Sequence, residues 1–227
     1  MPVMRRRRSL SWPHSSESGD RELTTARVAL VRRGLVLTYV TLAYNCLEGV
    51  IAVGAGLVAG SIALVGFGLD SLIEVSASVT ALWRLYSDRD LARRARAERI
   101  GLRVIGALFL GLAAYIAADA VHALLARTPP ERSFVGIALA AASLVVMPFL
   151  ARAKRQVAVA IGSGALAAEA QQTMYCTYLS AILLAGLVLN ATLGWWWADP
   201  VAALVMVPFI AREGIEGVRG RSACGCC

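Results

Sequence analysis

Charged side chains are scarce in this chain. They make up 17% of the 227 residues, whereas 58% are hydrophobic. A soluble domain carries about 25% charged residues, so this composition, with a mean hydropathy of +0.63, argues against a soluble protein. The chain also lacks a Walker A motif, which argues against ATP-driven transport. With two histidines and no Ser-His-acid arrangement, no enzyme is expected.

The sequence contains long apolar segments with few charged residues. A helix needs about 20 apolar residues to cross a bilayer, and six segments meet this need, at residues 34–57, 61–85, 100–125, 134–150, 165–193 and 196–211. The sequence therefore predicts an all-α, polytopic membrane protein with six transmembrane helices. Three regions are expected: a disordered, basic N-terminal tail (1–27), the six-helix domain (28–213) and a short Cys-containing tail (214–227).

Lys and Arg residues indicate the orientation. Of the 23 Lys and Arg residues, only Arg127 and Arg132 fall on the side opposite the N-terminus. Basic residues concentrate in cytoplasmic loops, so both termini are predicted in the cytoplasm, at the plasma (inner) membrane. The basic residues at helix ends account for the net charge of +8, and no nucleic-acid partner is expected. The four arginines at 5–8 have two interpretations. They form a localisation signal or a patch that binds anionic lipid, or they only hold the N-terminus in the cytoplasm.

A spaced pattern occurs twice inside the apolar segments. Each copy begins with a Gly-Ser pair, at residues 60–61 and 162–163, and has polar residues nine and thirteen positions after the serine. In the first copy these are Asp70 and Glu74, and in the second they are Gln172 and Cys176. Each pair is spaced i, i+4 and therefore shares one helix face. The second and fifth segments are predicted to run in opposite directions. An inverted internal repeat is expected.

The chemistry of these four residues suggests a metal site. Acids deep in a membrane are costly and usually functional, and mixed oxygen and sulfur ligands suit Zn²⁺, with Cd²⁺ and Co²⁺ as further candidates. Ligands must lose protons before they bind metal, which is the basis of proton exchange. The alternatives are structural: an acid pair or a glutamine hydrogen-bonded between helices, and a cysteine that is a small buried residue.

At these residues the chain resembles the cation diffusion facilitator family of divalent-metal/proton antiporters. The resemblance extends over about residues 26–217 and is clearest at 60–74, 163–176 and 194–200. Family members take a His/Asp-x-x-x-Asp pair from the second helix and a His-x-x-x-Asp pair from the fifth. The resemblance implies Asp70 and Glu74 as the first pair, whereas Gln172 and Cys176 depart from the second. It also implies a homodimer and the short form of the family, with the transmembrane domain only.

Two further acids lie inside apolar segments. Glu48 follows Asn45 by three residues in the first segment, and Glu169 precedes Gln172 by three in the fifth. Each is a candidate accessory ligand, proton carrier or hydrogen-bond partner.

Two peripheral groups are weaker candidates. Asp119 and His122 lie near the outer end of the third segment, where they either receive or release metal or form an interfacial hydrogen-bonded pair. Cys224, Cys226 and Cys227 either capture soft metal or belong to a dispensable tail.

The expected function is proton-coupled secondary transport that exports a divalent transition metal, with Zn²⁺ first, from the cytoplasm. The partners are then metal ions, protons and the lipid bilayer, and no permanently bound cofactor is expected. One alternative is a non-transporting, metal-binding or interaction protein of the same fold. Another is a membrane thiol enzyme that uses Cys176 or the terminal cysteines.

Overall fold

The computed structural model describes residues 15–86 and 91–219. In this part of the chain all regular structure is helical, as predicted. The helices are α1 (Ser15–Ala59), α2 (Ile62–Tyr86), α3 (Leu91–Ala126), α4 (Phe134–Ile161), α5 (Gly164–Leu193) and α6 (Ala198–Val218).

Four of the helices contain stretches that are long and apolar enough to cross a membrane. These stretches are Arg27–Ala59, Arg103–Ala126, Phe134–Ile161 and Glu169–Leu193, in α1, α3, α4 and α5. The chain is therefore a multi-pass membrane protein. The described parts of α2 and α6 do not meet the same criterion.

Several helices extend beyond the predicted segments: α1 and α3 at their starts, and α4 and α6 at their ends. Helix α1 begins at Ser15, within the segment 1–27 for which disorder was predicted, while residues 1–14 and 220–227 lie outside the described part. Helix α4 continues to Ile161, well past the predicted end at 150. Residues 151–161 are therefore helical and not a loop. Alanine, arginine, lysine and glutamine are good helix formers, so apolar length alone underestimates such a helix.

The helices pack most extensively as three pairs, α1 with α2, α3 with α6, and α4 with α5, and α2 also contacts α5. The α3–α6 pair depends on small residues at the contact. A Cβ atom added at Gly214 of α6 would lie 2.9 Å from the backbone nitrogen of Leu110 on α3. Close backbone approach at glycine is a common way for helices to associate in lipid.

The core lies between α2, α3, α4, α5 and α6. Its largest fully buried apolar side chains are Phe67, Leu64, Ile116, Met147, Leu183, Met206 and Ile210. Large exposed apolar side chains occur on all six helices, which suits a surface covered by lipid tails. The polar side chains described below are therefore enclosed between apolar layers.

Candidate functional site

Both copies of the Gly-Ser pair form the same turn between two helices. Gly60 and Gly162 have positive φ angles of 64° and 65°, a conformation that favours glycine. The backbone N–H groups of Ser61 and Ser163 each donate to the carbonyl five residues earlier, at 2.9 Å in both turns. This 6→1 bond is the Schellman pattern that ends a helix.

The same two serines begin the helices that follow. The hydroxyl oxygens of Ser61 and Ser163 accept hydrogen bonds from the backbone N–H three residues further on, at 3.1 Å and 3.3 Å. Serine in this position caps a helix N-terminus. Since both helices begin at an equivalent residue, the polar pairs nine and thirteen residues later lie the same number of turns along α2 and α5.

The beginning of α2 is also fixed by a buried acid. Asp199 on α6 is 1% exposed and accepts hydrogen bonds from the Ser61 hydroxyl and, at 3.0 Å, from the Ile62 backbone N–H. A carboxylate at a helix N-terminus is favoured by the helix dipole. Asp199 thus joins α6 to α2, a structural role that its place in the sequence did not reveal.

The two predicted acids of α2 are buried. Asp70 is 2% exposed and Glu74 is 5% exposed. The side-chain amide of Asn45 on α1 donates a 2.7 Å hydrogen bond to one Glu74 oxygen. The two acids lie close enough to interact electrostatically. The structure therefore brings Asn45, one of the accessory candidates, directly to the predicted metal-binding pair.

Glu48 connects α1 with both α2 and α5. It is 1% exposed, and one of its oxygens accepts a 3.0 Å hydrogen bond from Ser71, the neighbour of Asp70. The Cys176 thiol of α5 lies 3.9 Å from the same oxygen. Glu48 also lies close enough to Asp70 to interact electrostatically with it. Cys176 is fully buried and is a free thiol.

Five buried oxygen atoms near these acids have no hydrogen-bond partner among the described residues. They belong to Tyr44, Asn45, Glu48, Asp70 and Ser143. Tyr44 and Ser143 lie beside Glu48 without the geometry of a hydrogen bond. Buried polar atoms are nearly always paired in folded proteins. A cluster of unpaired oxygens therefore has the capacity to accept a cation, a proton or water.

Gln172 is less involved than the other three predicted ligands. It is half-buried on α5, and no hydrogen bond joins it to the acids in the described chain. Among the described residues, no group of three or more His, Cys, Asp or Glu side chains is arranged to hold a metal ion. The donor types are those that bind divalent metals, but in the described chain they are not gathered around one point.

Glu169 has other partners. One of its carboxylate oxygens lies 2.9 Å from the Lys154 ammonium of α4, and the other accepts a 2.9 Å hydrogen bond from Thr38 of α1. Lys154 is fully buried and also lies 3.3 Å from the Thr173 hydroxyl. The positive-inside pattern placed Lys154 in a cytoplasmic loop, and no feature of its spacing indicated burial.

Glu213 on α6 is a further acid that the sequence pattern did not single out. It lies close enough to Asp70 and Glu74 to interact electrostatically with both. It follows the predicted sixth segment by two residues and lies at the last position of the predicted six-helix domain. The α2 acids therefore have acidic neighbours on α1 and on α6.

The remaining candidates are the peripheral ones, on α3 and in the C-terminal tail. Asp119 is half-buried and His122 is exposed on α3, and no hydrogen bond joins the two within the described chain. Cys224, Cys226 and Cys227 lie outside the described residues.

Comparison with known proteins identifies the family. The cation efflux transmembrane domain matches residues 38–219, which is most of the chain. The chain belongs to the cation efflux family. The buried acids of α1 and α2 lie inside the matched transmembrane domain.

Two relatives are similar to large parts of this chain. An uncharacterized transporter of Synechocystis is 28% identical over 157 residues, covering 66% of this chain and 51% of the relative. Transmembrane protein 163 of Xenopus laevis is 23% identical over 186 residues, covering 82% of this chain and 66% of the relative. The chain thus spans about half the length of the first of these relatives and just under two thirds of the second.

Proposed function

We propose that this cation efflux protein exports a divalent transition-metal ion from the cytoplasm in exchange for protons, with Zn²⁺ as the leading cargo. The observation that supports this most directly is the set of buried side chains around Asp70, Glu74, Glu48 and Cys176. Asp70 and Glu48 each have an unpaired carboxylate oxygen in the interior of the cation efflux domain, where an isolated acid is costly.

The donor set favours a borderline metal. Carboxylate oxygens and one thiol match the ligands of Zn²⁺, which binds four groups tetrahedrally. Mg²⁺ and Ca²⁺ favour six or more oxygens. In this proposal Asp70 and Glu74 anchor the ion and Cys176 supplies the soft ligand that admits Cd²⁺ and Co²⁺ as alternatives.

Glu48 is better placed than Gln172 to be the fourth ligand of the metal ion. Its carboxylate lies beside the Cys176 thiol and bonds to the residue after Asp70, whereas Gln172 makes no hydrogen bond to the acids within the described chain. A carboxylate from α1 restores the negative charge that the departure at Gln172 removes. Asn45 supports the site from outside by orienting Glu74.

Proton exchange follows from the same groups. Carboxyl and thiol groups in a low-dielectric interior hold protons when no cation is present, and a bound metal ion displaces those protons. Metal affinity therefore rises with pH, and metal binding releases protons. A site open alternately to each side converts this competition into antiport.

The proposed cycle uses six membrane crossings and the inverted repeat. The matching turns before α2 and α5 support this, because both helices then present their polar pairs at equivalent depths. Rocking of one set of helices against the other opens the site to each side in turn. Cytoplasmic termini, a plasma-membrane location and a homodimer complete the proposal.

A second candidate function is metal binding without transport. It is favoured by one observation: no three acidic, cysteine or histidine side chains in the described chain are already arranged around a common point. In this alternative the departures at Gln172 and Cys176 have ended transport while the fold persists.

Transport into proteoliposomes distinguishes the two. Purified protein is reconstituted with an imposed pH gradient, and uptake of Zn²⁺, Cd²⁺ and Co²⁺ is followed with a fluorescent metal indicator. Uptake that requires the gradient and is lost in Asp70→Asn supports antiport through this site. Glu131→Gln, an exposed acid of the α3–α4 loop, is the matched control and should transport normally. Metal binding with no uptake in folded protein would establish the second function.

A further inference from the structure

Lys154 differs from every other basic residue whose side chain the structure describes. It is fully buried, whereas the described arginines are exposed, including Arg152 and Arg155 on the same helix. A buried ammonium is retained only when it is paired and hydrogen-bonded. The positive-inside rule explains why basic residues lie at this end of α4, but it does not explain why Lys154 is buried.

The partners of Lys154 connect three helices. Its ammonium lies 2.9 Å from Glu169 and 3.3 Å from Thr173, both on α5. Thr38 of α1 donates to the second oxygen of Glu169. Both Glu169 oxygens are thus occupied, and this acid is not free to bind a metal ion.

Lys154 also acts on the proposed metal site. It lies close enough to Glu74 for an attractive electrostatic interaction. Thr173, which it contacts, lies three residues before Cys176 and therefore on the same face of α5. A divalent ion bound at Glu74 and Cys176 would have this fixed positive charge as a neighbour.

We propose that Lys154 is a resident counter-cation of the transport site. It keeps Glu169 out of the ligand set and opposes the charge of the bound metal ion. It thereby weakens metal binding enough for the ion to be released on the far side. Lys154 acts through charge and positioning and does not itself contact the ion. This inference rests on the proposed function.

The charge argument predicts opposite effects for the two partners of the ion pair. Lys154→Gln removes the repulsive charge and frees Glu169, so Zn²⁺ should bind about tenfold tighter or more, and the maximal rate of transport should fall. Glu169→Gln leaves the ammonium without its carboxylate, so Zn²⁺ should bind more weakly. The double variant Lys154→Gln/Glu169→Gln has the original net charge and should bind nearly as wild type does.

A purely structural ion pair predicts a different pattern. Both single variants would then weaken folding and binding together, and the double variant would restore both. Zn²⁺ affinity is measured by calorimetry on protein in nanodiscs, and unfolding temperature is measured on the same samples. Lys154→Arg, which keeps the charge, and Arg155→Gln, an exposed neighbour, are the controls, and both should retain wild-type affinity.

The outcomes separate this inference from the proposed function. Single variants that shift affinity in opposite directions support the counter-cation role, whereas shifts in the same direction, or none, overturn it while transport by the wild type stands. If Lys154→Gln does not fold, Lys154→Met, a neutral side chain of similar length that suits a buried position, takes its place. This variant must bind Zn²⁺ more tightly than wild type, and equal or weaker binding overturns the inference. Absence of binding and uptake of Zn²⁺, Cd²⁺ and Co²⁺ in the wild type and all variants overturns both.

Discussion

The thiol of Cys176 on α5 lies 3.9 Å from a carboxylate oxygen of Glu48 on α1. This contact gives Cys176 an acidic neighbour that its position in the repeat did not predict. It also explains how a site that departs from the family pattern on α5 is supplied with negative charge. In the proposed site, the first helix takes part together with the second and the fifth.

The Glu48 contact predicts that α1 contributes more to metal affinity than Gln172 does. Glu48→Gln keeps the size of the side chain and an oxygen for the Ser71 hydrogen bond but removes the charge. Loss of an outer-shell partner typically costs about 10- to 100-fold in metal affinity, and we expect at least this loss of Zn²⁺ affinity. Gln172→Ala should change it much less. Calorimetry in nanodiscs measures both, and equal losses would contradict the assignment.

Asn45 is expected to act as a support for Glu74. Its amide donates the 2.7 Å hydrogen bond that holds one Glu74 oxygen in place. Asn45→Ala should lower Zn²⁺ affinity about 10- to 100-fold, as is typical for outer-shell partners. Gln171→Ala removes an exposed amide from α5 and serves as the control. If the Asn45→Ala protein binds Zn²⁺ as tightly as wild type, the hydrogen bond does not orient a ligand.

Cys176 should determine the preference between soft and harder metals. Thiolate favours soft ions more strongly than a hydroxyl group does. We therefore expect Cys176→Ser to reduce uptake of Cd²⁺ more than uptake of Zn²⁺ or Co²⁺ in the proteoliposome assay. Cys46 is a half-buried free cysteine on α1, so Cys46→Ser is the matched control. An unchanged ratio of Cd²⁺ to Zn²⁺ uptake would remove the thiol from the ligand set.

The two capping serines allow a comparison of stability. Ser61→Ala and Ser163→Ala each remove a helix cap, which costs about 0.5–2 kcal/mol. Ser61 also donates to the buried Asp199, whose carboxylate would lose a hydrogen bond in the variant. We expect Ser61→Ala to lower the unfolding temperature in detergent more than Ser163→Ala does. Equal shifts would show that the bond to Asp199 contributes little.

The α2 part of the site is the part that the sequence predicted best. An i, i+4 acid pair in an apolar helix has few explanations, and the structure buries both Asp70 and Glu74. Glu48 and Asn45 were recognised as unusual because an acid inside an apolar segment is costly. Their partners on α2 and α5 depend on helix packing, which spacing along one helix does not reveal.

Lys154 shows why other residues near the proposed site were not predicted from the sequence. A basic residue beyond an apolar run is assigned to a loop by orientation rules, which count charges and do not consider the direction of a side chain. The extension of α4 turns Lys154 inward and leaves Arg155 exposed. The length of α4 and its rotation about its own axis determine that Lys154 is buried, and both depend on contacts with α5. The same limit applies to Glu213, which lies just beyond the predicted sixth segment.

The matching turns at Ser61 and Ser163 have a consequence for how this chain tolerates change. Each helix starts from a fixed cap, so the direction in which its ligands point depends on the number of residues counted from that cap. One residue inserted between Ser61 and Asp70 rotates everything after it by about 100°. The acids would then face lipid or another helix, although every side chain of the site is still present in the chain.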